Sequence, residues 1–183
     1  EHLKHYIRLL RPKHALKNVL IFLPLIFGGA LFDAPVLQSA VCGFAAFCCL
    51  ASVVYIINDI CDAPRDRLHP TKKNRPIASG AVSPARATAE AAALLAVMLI
   101  LGLWCGFPSE GYLCLAIYFI VNIGYSLGLK NVPILDIALL VSGFLLRVLF
   151  GAAVTGIAIS DPTGTLAGFS TVINSRKADI VVE

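Results

Sequence analysis

Five apolar stretches, at residues 19–32, 36–57, 87–107, 112–129 and 134–159, leave this chain few ways to fold. About 20 consecutive, mostly apolar residues make a helix that crosses a bilayer. The second, third and fifth stretches meet that length easily, and the fourth is slightly short. The first meets it only when extended back to about Leu16, as a span kinked around Pro24. In hydrocarbon a segment must satisfy its own backbone polar groups, which favours helices. The expected fold is therefore all-α, a polytopic transmembrane helical bundle of about five spans. Composition agrees, with 58% hydrophobic and 14% charged residues and a mean hydropathy of +0.82. Soluble domains average roughly 45–50% and about 25%.

Charge placement orients the bundle. The turns at 33–35 and 108–111 contain no Lys or Arg, whereas the N-terminal segment, the 58–86 loop and the turn at Lys130 hold 12 of the 15 basic residues. Lys and Arg collect on the cytoplasmic side, so the N-terminus and the 58–86 loop are expected in the cytoplasm of a multi-pass inner-membrane protein. A net charge of +4 clustered beside apolar spans points to contact with anionic membrane lipids and not to nucleic acid. Residues 1–16 read as a basic amphipathic segment without a secretory h-region. Because the first residue is Glu rather than Met, the natural start is expected upstream.

Six cysteines (42, 48, 49, 61, 105 and 114) lie mostly inside the apolar stretches, with no CxxC pair and no zinc spacing with histidine. They are expected to pack as small hydrophobes between helices.

The second apolar stretch ends in NDICDAPRD, residues 58–66. At about 100° per residue, Asp59, Asp62 and Asp66 project within a 60° arc of a helix. Three carboxylates on one face repel one another unless a cation sits between them. Hard oxygen ligands suit Mg²⁺, which bridges one or two carboxylates to substrate phosphates. Pro64 is expected to break the helix and set Asp66 beyond it. Arg67, His69, Lys72, Lys73 and Arg75 follow at once. Acid followed by base suits a diphosphate, with metal on one side and guanidinium or ammonium donors on the other. A charged loop that only obeys topology would explain the Lys and Arg but not the three acids beside Asn58.

Asn58-Asp59-x-x-Asp62-x-x-x-Asp66 resembles the first aspartate-rich motif of the UbiA superfamily of intramembrane prenyltransferases, and HPTKKNRPIASG (69–80) resembles that family's following loop. The resemblance implies a helical bundle with a central cavity, Mg²⁺-dependent activation of a diphosphate donor, and a polyprenyl lipid substrate in a lipid-facing channel. RPKHALKNVLIFLPLIFGG (11–29) and YSLGLKNVPILDIALLVSGFLLR (125–147) resemble the decaprenyl-phosphate phosphoribosyltransferase branch, which couples phosphoribosyl pyrophosphate to a polyprenyl phosphate. Carried over by position, Asp59, Asp62 and Asp66 would be the catalytic and metal-binding residues, with Asn58 beside the pyrophosphate. Arg67, Lys72, Lys73 and Arg75 would contact phosphates, and Tyr125 and Lys130 would match the Tyr/Lys element after the fourth helix.

The likeness is expected to cover residues 11–160 and then stop, giving a partial UbiA-like domain at 17–159 and a polar tail of unknown role at 160–183. Relatives continue for about four more helices. The chain alone is therefore expected to bind but not turn over unless the tail or a homo-oligomer completes the site. Within the fifth stretch Asp136 and Arg147 share a helical face, and Arg147 reads either as a substrate contact or as a partner for another helix. Asn122 and Tyr125 share a face of the fourth stretch. Two other activities remain open: prenylation of an aromatic or tetrapyrrole acceptor, and a non-catalytic membrane transporter or scaffold. Transporters place charge at the midplane of broken helices, whereas here the acids sit at one end of one span.

Overall fold

The computed structural model describes residues 2–127 and 133–157; Lys130, the side chain of Asp136 and the segment 160–183 lie outside them. Six α-helices follow in order: α1 (His2–Leu9), α2 (Leu23–Phe27), α3 (Ala34–Asp66), α4 (Pro84–Trp104), α5 (Ser109–Leu127) and α6 (Pro133–Thr155). Two 3₁₀ segments, Pro12–Phe22 and Lys72–Asn74, complete the helical structure, and no strand occurs among the described residues. Among the described residues four helices are long and apolar enough to cross a membrane: α3, α4, α5 and α6 from Ile137 onward.

The first expected span takes another form. Instead of an α-helix kinked at Pro24, the chain runs as a 3₁₀ helix to Phe22 and only then as the short α2. A 3₁₀ helix repeats every three residues, and burial follows that period: Asn18, Ile21 and Pro24 are buried while Leu16 and Val19 are exposed. The apolar face of this segment is thus a narrow stripe that a 3.6-residue period would not keep in register. At about 2.0 Å per residue, then 1.5 Å in α2, the pair still reaches about 30 Å, the thickness of the hydrocarbon core.

α3 is the axis of the bundle, packing against α4, α5, α6 and the 3₁₀ segment. Asp33 caps its start by accepting from the Val36 N–H at 3.3 Å. The helix continues through Pro64 to Asp66, so the break expected at the proline does not occur. Pro64 lies in the last turn, where little helix remains to be disturbed. The 3₁₀ segment approaches α6 so closely that a Cβ on Gly151 would overlap the Ile21 carbonyl. Only glycine allows that contact.

Two apolar clusters fill the interior. One, around Phe47, Tyr118 and Phe150, lies among α3, α5 and α6. The other joins Leu9, Val53, Ile56, Ile77, Val82 and Ala87 at the far end of α3. Ile100, Leu103, Trp104, Ile120 and Leu145 stay exposed, an outward apolar surface that lipid would cover.

The cysteine expectation fails at one pair. Cys42 and Cys105 form a disulfide joining α3 to the C-terminal end of α4. Antiparallel packing of the two helices brings together residues 63 apart in sequence. Cys48, Cys49, Cys61 and Cys114 are free. The bond lies about 26 Å along α3 from Asp59, at 1.5 Å per residue, toward the opposite end of the bundle.

Candidate functional site

The second apolar cluster sets the geometry of the charged end. Ile77 and Val82 are buried against α3 and α4, so the loop after α3 folds back onto the helix it has just left. Gly80 turns the chain at a φ of 81°, in the left-handed region open to glycine. His69 ties the loop's start by accepting from the Thr71 and Lys72 N–H groups at 3.3 Å. Arg75 is thereby turned inward. Leu9, in the same cluster, anchors the N-terminal strand of contacts, and Arg11 follows it at a φ of 47° just before Pro12. A non-glycine residue there is strained by about 1–2 kcal/mol. Two contacts hold it: a hydrogen bond from Arg11 to Asp59, and its guanidinium 5.0 Å from the Tyr55 ring.

The repulsion among the acids is relieved by these two arginines. Arg75 Nη1 lies 2.7 Å from Asp66 Oδ2 and 3.2 Å from Asp59 Oδ1, the oxygen that Arg11 also holds. The Asp59 and Asp66 side chains are 3% exposed, against 20% for Arg11 and 25% for Arg75. The acids thus lie beneath the bases. Asn58 Nδ2 donates to Asp62 Oδ2 at 3.1 Å, and Asn58 Oδ1 is buried without a hydrogen-bond partner.

A cavity of about 370 Å³ opens in front of this cluster, lined by Arg11, Asn58, Asp62, Arg65, Asp66, Lys72, Arg75, Tyr125 and others. Of the residues singled out from sequence, Asn58, Asp62, Asp66, Lys72, Arg75 and Tyr125 meet there. Asp59 sits behind the arginines and does not line it, while Arg67 and Lys73 are exposed outside it. Arg11, Arg65 and Tyr55 belong to the site and were missed. Arg11 enters the sequence reading through the charge pattern and the family-like stretch 11–29, and nothing local marks a residue whose partner lies 48 positions away.

Among the described residues no three His, Cys, Asp or Glu side chains converge as a metal-binding group. The donor set nevertheless fits a hard divalent cation, because Asp62 and Asp66 bring carboxylate oxygens to one cavity and Asn58, which also lines it, has an unsatisfied Oδ1.

A second cavity of about 250 Å³ adjoins the first, sharing Tyr55, Asn122 and Tyr125 with it. Among the described residues its charged lining residues are Lys17 and Arg147. Arg147 is 6% exposed. Its Nε donates to Asn18 Oδ1 at 2.8 Å, its Nη1 to the Gly143 carbonyl and its Nη2 to the Tyr118 hydroxyl at 3.3 Å. The Phe47 and Tyr118 rings lie 5.1 Å from it. Among the described residues no carboxylate is paired with it. The partners described for this buried cation are all neutral groups.

Comparison with known proteins follows this geometry. The description "UbiA prenyltransferase family" matches residues 19–176, past the point where the likeness was expected to stop. Decaprenyl-phosphate phosphoribosyltransferase of Corynebacterium glutamicum is 35% identical over 181 residues, 96% of this chain and 54% of that protein. The protein of the same name from Mycolicibacterium smegmatis is 35% identical over 158 residues, 84% and 49% of the two chains. Nodulation protein NoeC of Azorhizobium caulinodans is 31% identical, again over 84% and 49%. This chain spans about half the length of these relatives. A solved structure of digeranylgeranylglyceryl phosphate synthase superposes with a TM-score of 0.71 at 22% identity, over 84% of this chain and 53% of that one.

Proposed function

Because this chain belongs to the UbiA prenyltransferase family, we propose that it forms the diphosphate-activating part of a membrane transferase that moves phosphoribose from phosphoribosyl pyrophosphate to a polyprenyl phosphate. The observation that carries this reading is the pair of adjoining cavities. One offers acids and bases together, and the other offers, among the described residues, the two cations Lys17 and Arg147. A diphosphate with its cation suits the first, and a second phosphate suits the second. A phosphate gains a charge-assisted hydrogen bond from a buried guanidinium, where a neutral aromatic acceptor gains only the weaker cation–π attraction, and this favours the phosphate acceptor over prenylation. The names of the C. glutamicum and M. smegmatis relatives agree with the preferred reading.

In this scheme an oxygen of the lipid phosphate attacks the anomeric carbon of phosphoribose, and the bond from that carbon to pyrophosphate breaks. Arg65, Lys72 and Arg75 hold the departing pyrophosphate, while Lys17 and Arg147 hold the acceptor phosphate in line. Asn58, Asp62 and Asp66 would hold a divalent cation, Mg²⁺ by family expectation, which when bound offsets charge developing on the leaving group. Tyr125 stands where the two cavities meet and orients the sugar between them.

Donor choice tests the assignment. The purified chain in nanodiscs should bind phosphoribosyl pyrophosphate in a Mg²⁺-dependent manner, and geranylgeranyl diphosphate at least about tenfold more weakly, a difference of about 1.4 kcal/mol. The reverse order would transfer support to prenylation.

The charged end is assigned to the cytoplasm. Arg11, the 58–86 loop and the C-terminal end of α5 all meet there, and the disulfide lies toward the other end. Disulfides persist in oxidising compartments and are rare in the cytosol. In a variant otherwise free of cysteine, Ser79→Cys, at an exposed loop position, should react with impermeant maleimide only after the membrane is opened. Labelling of intact cells would reverse the orientation.

A further inference from the structure

Two of the three carboxylates of this site are already neutralised. Asp59 and Asp66 face Arg11 and Arg75, two negative charges against two positive ones, joined by three ion-pair contacts. A bare divalent cation arriving here would have to break charge-assisted hydrogen bonds and sit beside the two displaced guanidiniums. A diphosphate changes that balance, because its oxygens accept from guanidinium forks as well as carboxylates do. The arginines are also the members that can move. They line the cavity and are 20% and 25% exposed, whereas the acids they cover are 3% exposed.

Resting on the reading of this cavity as a diphosphate site, we infer that Arg11 and Arg75 are specificity-determining residues that admit a divalent cation only together with a diphosphate. On binding, the guanidiniums turn from the carboxylates to the phosphate oxygens, and Asp66 is released toward the cation. Arg11 links this exchange to the N-terminal segment. It is strained between α1 and the 3₁₀ segment, so giving up Asp59 also frees the backbone it tethers.

The test is Mn²⁺ binding by the full chain in nanodiscs, read by electron paramagnetic resonance with and without inorganic pyrophosphate. Wild-type protein should bind Mn²⁺ weakly alone. Pyrophosphate should raise that affinity at least tenfold beyond what formation of free Mn²⁺–pyrophosphate explains. Arg11→Gln and Arg75→Gln should each bind Mn²⁺ alone about tenfold more tightly, as expected for removing one positive charge within a few ångströms, and should lose most of the pyrophosphate effect. Arg75→Lys, which keeps the charge, should keep the selection. The inference is overturned if the glutamine variants bind bare Mn²⁺ no better than wild type while wild type still takes up Mn²⁺ with pyrophosphate. If the glutamine variants do not fold, the wild-type comparison decides: equal affinity with and without pyrophosphate overturns the inference. Absence of any wild-type binding, with or without pyrophosphate, would instead remove the diphosphate site itself.

Discussion

Asp66→Asn should weaken Mg²⁺-dependent binding of phosphoribosyl pyrophosphate by about 10²- to 10³-fold, roughly 3–4 kcal/mol, while Arg67→Gln and Lys73→Gln change it less than about threefold. The contrast follows from placement, since all three residues are charged and lie within eight positions of one another. Asp66 is buried, lines the cavity and holds Arg75 at 2.7 Å. Asparagine keeps the shape but removes the charge that a cation needs, and it leaves Arg75 tied to Asp59 alone. Arg67 and Lys73 are exposed outside the lining, where solvent screens them and an interaction is worth 0–1 kcal/mol. Monodisperse elution of each variant would show that the bundle survives, as expected for a substitution at the end of α3. Equal losses in all three variants would mean that diffuse charge, not this cavity, attracts the diphosphate.

The pattern of apolar stretches made four spans, the alternation of basic loops and the acidic end of α3 legible in advance. What was hidden depended on pairings over long sequence distances. The Arg11–Asp59 bond spans 48 positions and the Cys42–Cys105 bond 63. The helical wheel placed Asp59, Asp62 and Asp66 on one face, and the unbroken α3 puts them on one helix. It could not show that Asp59 lies beneath two arginines, because that depends on how the following loop is pinned by Ile77 and Val82. The 3₁₀ form of the first segment was hidden for a related reason. The buried positions there include the polar Asn18 as well as the apolar Ile21, so the period is visible only in which residues are buried.

Arg147→Met should weaken binding of a polyprenyl phosphate at least about 100-fold, close to 3 kcal/mol, and yet leave the stability of the bundle unchanged to within about 1 kcal/mol. Two large terms oppose each other in the folded protein. Methionine forfeits hydrogen bonds to Asn18, Gly143 and Tyr118 and the contacts with the Phe47 and Tyr118 rings. It leaves Asn18 Oδ1 without its donor, at a cost of about 1–3 kcal/mol. It also removes a charge that is buried with no carboxylate paired to it among the described residues, and apolar replacements of buried ionic groups are often neutral or stabilising. Nothing similar compensates a lipid phosphate, which loses a guanidinium in a site of low dielectric. Arg147→Lys should recover little, because one ammonium cannot reach Asn18 on the 3₁₀ segment, Gly143 on α6 and Tyr118 on α5 together. Binding of Mn²⁺ with pyrophosphate in the adjoining cavity should persist in both variants, which separates the acceptor from the donor. A residue that only joins helices would behave in the opposite way. Its loss would lower the melting temperature by several degrees and reduce both ligands in proportion to the unfolded fraction, and that result would end the assignment of Arg147 to the acceptor phosphate.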